Sequence, residues 1–193
     1  MKRWLSMIAV LLVVFGALHF NHASAQTGWI TLFDGKNLNA FNSVGNANWK
    51  IVDGVVQADS GAGYLTTKQP YSDFEIKAEF WVDEKANSGI FIRCENPQML
   101  GADTCYEVNI YDTRPDPTYG TGAIVNVSKP STMIKAGGKW NTYEIKAQGP
   151  RMIVTLNGVQ TVDVQDTKHA RGVIGLQYGA GVVKFRIVQI RAL

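Results

Sequence analysis

The sequence predicts an all-β fold, in which two antiparallel sheets pack face to face as a β-sandwich. Nearly every apolar segment is short, alternates with polar residues, and is bounded by Gly, Asn, Asp or Pro. Asp53-Gly54 and Asn157-Gly158 each separate two such segments, and both dipeptides are strong hairpin signals. No segment sustains a helical period. About eleven or twelve strands without intervening helices therefore indicate a sandwich, with one sheet curved into a groove.

The predicted strands follow one another along the chain at short intervals. The first covers residues 29–33, and residues 49–52 and 55–58 form a hairpin around Asp53-Gly54. Further strands are predicted at 63–67, 74–82, 87–94, 105–112, 122–127, 140–147, 152–156, 159–164, 172–177 and 182–192. The segment 128–137 is the one candidate for a short helix.

The N-terminal residues have the pattern of a secretory signal peptide. Lys2 and Arg3 precede a short apolar run, 7–18, and Ala23-Ser24-Ala25 forms a small-residue cleavage site. The apolar run is shorter than the roughly 20 residues that a membrane-spanning helix needs. We therefore expect residues 1–25 to be removed and 26–193 to form a single domain that is periplasmic or secreted and not held at a membrane.

Charge and histidine content exclude several function classes. The net charge of the full sequence is +3, and the predicted signal peptide carries two of the basic residues, which leaves the mature chain nearly neutral. Because no cluster of Lys or Arg is present, nucleic acid is not an expected partner. His169 is the one histidine outside the predicted signal peptide, and we expect it on the surface. A zinc site built from several histidines is excluded, and no metal or cofactor is predicted.

The two cysteines, Cys94 and Cys105, lie at the two ends of one predicted loop. In an exported protein such a pair indicates a disulfide, and two free thiols are the less favoured alternative. Closing a loop of this length contributes about 2–3 kcal/mol in the chain-entropy model.

Polar residues on the hairpin around this loop form the candidate site. Ile90, Ile92, Val108 and Ile110 have the parity of core residues. The opposite face then carries Arg93 together with Glu107, Asn109 and Tyr111. Direct pairing of the two cysteines would conflict with this parity unless a bulge or an early strand end lies near the loop. An arginine, a carboxylate, an amide and a phenol on one face suit a polar ligand the size of a sugar, whereas the alternative is a surface ion pair.

The loop that follows the hairpin adds Asp112, Arg114 and Asp116, and two prolines stiffen it. Its side chains could cover one end of a groove, and a rigid structural turn is the equally weighted alternative. A calcium site built on its aspartates is the least favoured interpretation, because no regular ligand spacing is present. If Glu107 belongs to a pair of catalytic carboxylates, its partner is Asp112, Asp116 or none.

Several segments, in order and at matching spacing, resemble the 3-keto-disaccharide hydrolase family, whose fold is similar to the concanavalin A-like lectins and glucanases, a jelly-roll sandwich. The resemblance covers residues 28–193. The segments that carry it are Leu32-Phe33-Asp34-Gly35-Lys36-Asn37-Leu38, Asn87-Ser88-Gly89-Ile90-Phe91-Ile92-Arg93, Tyr106-Glu107-Val108-Asn109-Ile110, Leu156-Asn157-Gly158 and Gly175-Leu176-Gln177.

The resemblance implies a sugar-binding groove and, in some members, cleavage of glycosides that are oxidised at C3. Such a reaction needs a base and a group that stabilises an enolate oxygen. We assign these roles to Glu107 and Arg93, and we expect Gln177 to contact the substrate.

Three functions remain open at this point. The first is an exported hydrolase or lyase acting on glycosides, including 3-keto-glycosides or disaccharides. The second is a non-catalytic carbohydrate-binding module, and the third is a structural or partner-binding sandwich, because a fold alone does not fix a function. In the first two the partner is a carbohydrate.

Overall fold

In the computed structural model, which describes residues 28–193, the chain forms two antiparallel β-sheets that pack face to face. The predicted all-β, two-sheet sandwich is thereby confirmed. The predicted signal peptide, residues 1–25, lies outside the described residues. Within those residues, no helix is long and apolar enough to cross a membrane.

The strands, in chain order, are β1 (Ile30–Phe33), β2 (Phe41–Gly45), β3 (Lys50–Val52), β4 (Val55–Ala58), β5 (Gly63–Thr67), β6 (Phe74–Val82), β7 (Asn87–Cys94), β8 (Tyr106–Ile110), β9 (Trp140–Gln148), β10 (Arg151–Leu156), β11 (Val159–Gln165), β12 (Val173–Ala180) and β13 (Val183–Ala192). One short 3₁₀ helix, Pro117–Tyr119, follows β8. The larger sheet has eight strands in the order β11-β10-β9-β6-β13-β4-β3, with β1 also paired to β13. The smaller sheet has five, in the order β2-β5-β12-β7-β8.

Both predicted hairpin turns are present. Asp53 and Gly54 have φ angles of 51° and 76° between β3 and β4, and Asn157 and Gly158 have 52° and 81° between β10 and β11. Two consecutive positive φ angles match the right-handed twist of the flanking strands, and Asp-Gly and Asn-Gly reach them at little cost.

The core lies between the two sheets and follows the predicted alternation. From the larger sheet, β6 contributes Phe74, Ile76, Ala78, Phe80 and Val82, all buried, while its alternate residues are partly exposed. From the smaller sheet, the four residues whose parity we predicted are fully buried in the same cluster: Ile90, Ile92, Val108 and Ile110. The opposite, outer face of the smaller sheet therefore does not pack against the larger sheet.

Two local predictions were wrong. Strand β2 was missed, because its middle residues, Asn42 and Ser43, are exposed at the sheet edge and no hydrophobic alternation marks it. The predicted helix over 128–137 does not form, since the backbone N–H groups of Ala136 and Gly137 donate to the Asp112 carboxylate instead of to a helical turn. These bonds anchor the segment as irregular chain.

The predicted strand at 122–127 is present only as irregular chain beside β8. Asn109 N–H donates to Ala123 O, and Val125 N–H donates to Glu107 O. The segment therefore covers the edge of the smaller sheet next to the candidate site.

Candidate functional site

A β-bulge in β7 decides where Arg93 points. Val173 of β12 pairs with Cys94 and Gly175 pairs with Phe91, so β7 has one more residue than its partner over this stretch. Arg93 lies within the bulge and has a φ of 55°, in the left-handed region that non-glycine residues rarely adopt. Cys94 then takes the outer position and packs with Phe91 and Cys105.

Arg93 is consequently removed from the sheet face that carries Glu107. Only 1% of its surface is exposed, and its guanidinium donates to the carbonyl oxygens of Ser72, Gly149 and His169 and to the Asp73 carboxylate. The prediction that Arg93 shares a face with Glu107 is therefore wrong. Pairing of the two cysteines required a bulge near the loop, and that bulge lies at Arg93 itself. Ile90 and Ile92 therefore point into the core as their alternation predicts, whereas Arg93 does not follow the alternation.

The predicted disulfide between Cys94 and Cys105 is present and closes the loop 95–104. This disulfide loop folds over the outer face of the smaller sheet. Tyr64 Oη donates to Leu100 O at 3.3 Å, and a Cβ built on Gly175 would lie only 2.3 Å from Leu100 Cδ2. The glycine thus leaves the space that the leucine fills, and the loop covers one end of the face.

Two rows of residues cross this face from strand to strand. One row joins Thr66, Gly175, Phe91 and Glu107, which are cross-strand partners on β5, β12, β7 and β8. The next row joins Tyr64, Gln177, Gly89 and Asn109. The second row brings Gln177 and Asn109 together on either side of a glycine, although they are 68 positions apart in the sequence. Tyr64 was not predicted as a site residue, because an alternating tyrosine in a strand gives no sign of a site.

Gly89 forms the floor between these side chains. A Cβ at this position would lie 3.5 Å from Glu107 Cγ and 3.6 Å from Gln177 Oε1. The side chains of Glu107 and Gln177 therefore flank one small space above Gly89, and any larger residue at position 89 would enter it.

Glu107 has the environment of a functional carboxylate. It is 9% exposed, and within residues 28–193 no hydrogen bond reaches its carboxyl group from another side chain. Burial raises its pKa from 4.5 to about 7, and the positive charge of Arg114 lowers it in part. A carboxyl group that exchanges protons near neutral pH is suited to general acid–base catalysis.

Three polar atoms around Glu107 are buried without a partner in the described part of the chain: Asn109 Oδ1, Gln177 Oε1 and Arg114 Nε. The amide orientation of Asn109 is fixed, because its Nδ2 donates to Tyr119 O at 2.6 Å. Leaving such a group unpaired costs about 1–3 kcal/mol. The described part of the chain thus leaves two acceptors and one donor without a hydrogen-bond partner.

The remaining predicted ligand contacts lie around the loop after β8, and two of them hold that loop in place. Asp112 accepts hydrogen bonds from Ala136 N–H, Gly137 N–H and the Thr121 hydroxyl. Asp116 accepts one from Thr118 N–H and caps the 3₁₀ helix. Tyr111 is half-buried and lines a cleft together with Arg114.

His169 is buried, with 6% of its surface exposed, so its predicted surface position is wrong. The backbone N–H of His169 donates to Tyr106 Oη, and the Tyr106 hydroxyl in turn donates to the Asp166 carboxylate at 2.6 Å. Arg93 binds the carbonyl of the same histidine. These hydrogen bonds hold the loop 166–171 against the smaller sheet, while His169 Nε2 stays buried without a partner within residues 28–193.

A hollow of about 290 Å³ lies on the outer face of the larger sheet, away from Glu107. Around it Glu75 pairs with Arg191 and Lys146, and Glu144 pairs with Lys77. No group of three or more His, Cys, Asp or Glu side chains in residues 28–193 is arranged to hold a metal ion.

Comparison with known proteins identifies related sequences. A family model described as the 3-keto-alpha-glucoside-1,2-lyase-like domain matches residues 28–191. A 3-keto-disaccharide hydrolase from Bacteroides thetaiotaomicron is 32% identical over 77 residues, a match that covers 33% of this chain and 27% of that protein. The chain thus spans about a quarter of the curated relative's length.

Solved structures share the fold. A candidate glycosyl hydrolase from Parabacteroides distasonis superposes with a TM-score of 0.73 at 27% identity, over 86% of this chain and all of that one. The carbohydrate-binding module CBM66 from Bacillus subtilis superposes with a TM-score of 0.61 at 18% identity, over 86% of this chain and 96% of the module. The Parabacteroides protein is therefore similar to this chain in both sequence and fold, whereas CBM66 is similar in fold alone.

Proposed function

This chain belongs to the 3-keto-alpha-glucoside-1,2-lyase-like family, and from that premise we propose that it cleaves glycosides oxidised at C3, with Glu107 as the base. The observation that carries the proposal is the Glu107 carboxyl group, buried on the outer face of the smaller sheet among polar atoms that have no partner of their own.

The reaction follows from the acidity of the hydrogen next to a ketone. A ketone at C3 acidifies the C2–H bond, so a carboxylate can take that proton. The electron pair released at C2 forms the C1=C2 double bond while the C1–O bond to the leaving group breaks. The leaving oxygen takes up a proton. Water then adds across the double bond, with its oxygen joining C1 and a proton returning to C2, so that the sum is hydrolysis.

The unpartnered atoms match the polar groups of a 3-keto sugar. Its ketone oxygen is an acceptor, and it lies between hydroxyl groups on C2 and C4 that are donors. Arg114 Nε is a donor, while Asn109 Oδ1 and Gln177 Oε1 are acceptors. We therefore assign recognition of the hydroxyl groups to the two amides and assign the ketone oxygen to Arg114. As negative charge develops on that oxygen in the transition state, the guanidinium stabilises it.

Arg114 takes the role that sequence analysis gave to Arg93. The Arg93 guanidinium is committed to three carbonyl oxygens and to Asp73, whereas the charge of Arg114 already acts on Glu107. A cation close enough to lower the pKa of the base is also close enough to interact with an enolate formed beside that base.

We further propose that the protein works outside the cytoplasm, in the periplasm or as a secreted protein. The Cys94–Cys105 disulfide supports this location, because disulfides persist in oxidising compartments.

The test is release of the leaving group from matched pairs of native and 3-keto-glucosides in both anomeric forms. We expect release from the keto compounds only, with an acidic limb of kcat/KM near pH 7 set by Glu107. Glu107→Gln should abolish release while saturable binding is kept. Binding of the keto sugar without release by the wild-type protein would instead indicate a carbohydrate-binding module, and the absence of both would refute the proposal.

A further inference from the structure

We propose that a cleft at the Ile110 end of β8 is the subsite for the leaving group, and that it selects leaving groups in which an apolar ring carries an anionic substituent. The cleft lies between the loop 113–121 and the segment 129–135. The inference rests on the proposed function and adds to it the position and chemical class of the departing half of the substrate.

The position of the cleft follows from the direction of β8. The disulfide loop covers the face at the Cys105 end of this strand, where Leu100 lies on Gly175. Tyr111, which lines the cleft, directly follows the opposite end of β8, and it is four residues beyond Glu107. Four residues of extended chain span about 13 Å, which accommodates a sugar ring and its glycosidic oxygen. A leaving group that extends along β8 from a sugar held over Gly89 would therefore reach the cleft.

Arg114 connects the two sites. Its charge lowers the pKa of Glu107, and its side chain lines the cleft. A group that leaves from C1 of a sugar bound at Glu107 would thus pass beside Arg114 as it enters the cleft.

The walls of the cleft suit an apolar ring. Two adjoining hollows, of about 110 and 310 Å³, share Pro117 and Met133. Met133 is 70% exposed, and Pro130 lines the second hollow. An exposed thioether beside two prolines offers flat, adaptable apolar contact of the kind that binds aromatic rings.

The charge of the cleft favours an anionic substituent. Arg114, Lys129 and Lys135 line it, and within residues 28–193 neither lysine forms an ion pair. Two carboxylates are present: Asp112 is engaged by two backbone N–H groups and a hydroxyl, and Asp116 caps the 3₁₀ helix. Positive charge therefore exceeds negative charge at the rim, which attracts and orients an anion.

The experiment compares two 3-keto-glucosides with nearly isosteric leaving groups, 4-carboxyphenol and 4-carbamoylphenol, which differ in charge. We expect kcat/KM at low ionic strength to favour the carboxylate about fivefold in the wild-type protein. The double variant Lys129→Gln/Lys135→Gln should remove this preference, and the double charge reversal to Glu should invert it. Lys77→Gln, which removes one positive charge from the outer face of the larger sheet, is the control and should retain the preference.

The outcomes separate the two proposals. Cleavage of both compounds with equal kcat/KM in the wild-type protein, or a preference that persists in the double Gln variant, would overturn the leaving-group subsite and leave the proposed function intact. Cleavage of neither compound by folded protein would refute the proposed function, and this inference with it.

Discussion

Replacing Glu107 with Gln should stabilise the protein at alkaline pH relative to acidic pH. Burial raises the pKa of this carboxyl group from 4.5 to about 7. The neutral form is therefore favoured in the folded state, and the stability that it contributes is complete below pH 4.5 and is lost as the pH rises to about 7. Each pKa unit between the folded and unfolded states corresponds to about 1.4 kcal/mol, so the total loss is roughly 3 kcal/mol.

Urea unfolding of the wild-type protein and of Glu107→Gln, at pH 5 and at pH 8, measures the pH-dependent contribution of Glu107 to the free energy of unfolding. We expect the free energy of unfolding of the variant, relative to wild type, to rise by roughly 2–3 kcal/mol between these pH values, since most of the titration lies between them. Glu144→Gln is the matched control, because it makes the same substitution at a carboxylate that is largely exposed on the other sheet. If the Glu107 and Glu144 variants showed the same pH dependence, Glu107 would not be a desolvated carboxylate, and the argument for a base would lose its physical basis.

Three further predictions concern residues around the site. Arg93→Met should lower the free energy of unfolding by about 3 kcal/mol, because three carbonyl oxygens and Asp73 lose their donor. The kcat of the folded variant should equal that of the wild type. Loss of kcat at unchanged stability would instead indicate that Arg93 has a catalytic role. Gln177→Leu should raise KM about tenfold without lowering the urea midpoint, since its Oε1 has no partner within the described chain. An unchanged KM would exclude Gln177 from substrate contact. The double variant Cys94→Ser/Cys105→Ser should lose about 2–3 kcal/mol in the same unfolding assay, and a loss below about 0.5 kcal/mol would contradict the loop-closure argument.

Much of the fold could be predicted because its signals are local. Alternation along β6 and the two Gly-containing turns depend on neighbouring residues alone, and each occurs where the sequence places it. Strand β2 could not be predicted, since an exposed edge strand buries little and its sequence carries no alternation. The failed helix at 128–137 has a similar cause, because the Asp112 carboxylate that binds its backbone comes from another part of the chain.

Sequence reasoning selected some of the residues that the structure brings together. Parity selected Glu107 and Asn109, the resemblance selected Gln177, and cross-strand pairing places all three in two adjacent rows of the smaller sheet. Arg93 was misplaced, because a single extra residue in β7 breaks the alternation of side chains at the bulge, so that Arg93 no longer shares a face with Phe91. Sequence alone gives no sign of such a bulge beyond the conflict between hydrophobic parity and the pairing of the cysteines.

The sequence by itself determined the two-sheet sandwich, its hairpins and its disulfide, because these follow from local periodicity, turn chemistry and cysteine count. The tertiary structure alone decided which groups surround Glu107. Tyr64 and Gln177 meet Asn109 across four strands, Arg93 turns away to bind loop carbonyls, and Arg114 lies near Glu107 in its place. Burial, and with it the pKa of Glu107, depends on how distant segments pack together, and no local pattern in the chain encodes that packing.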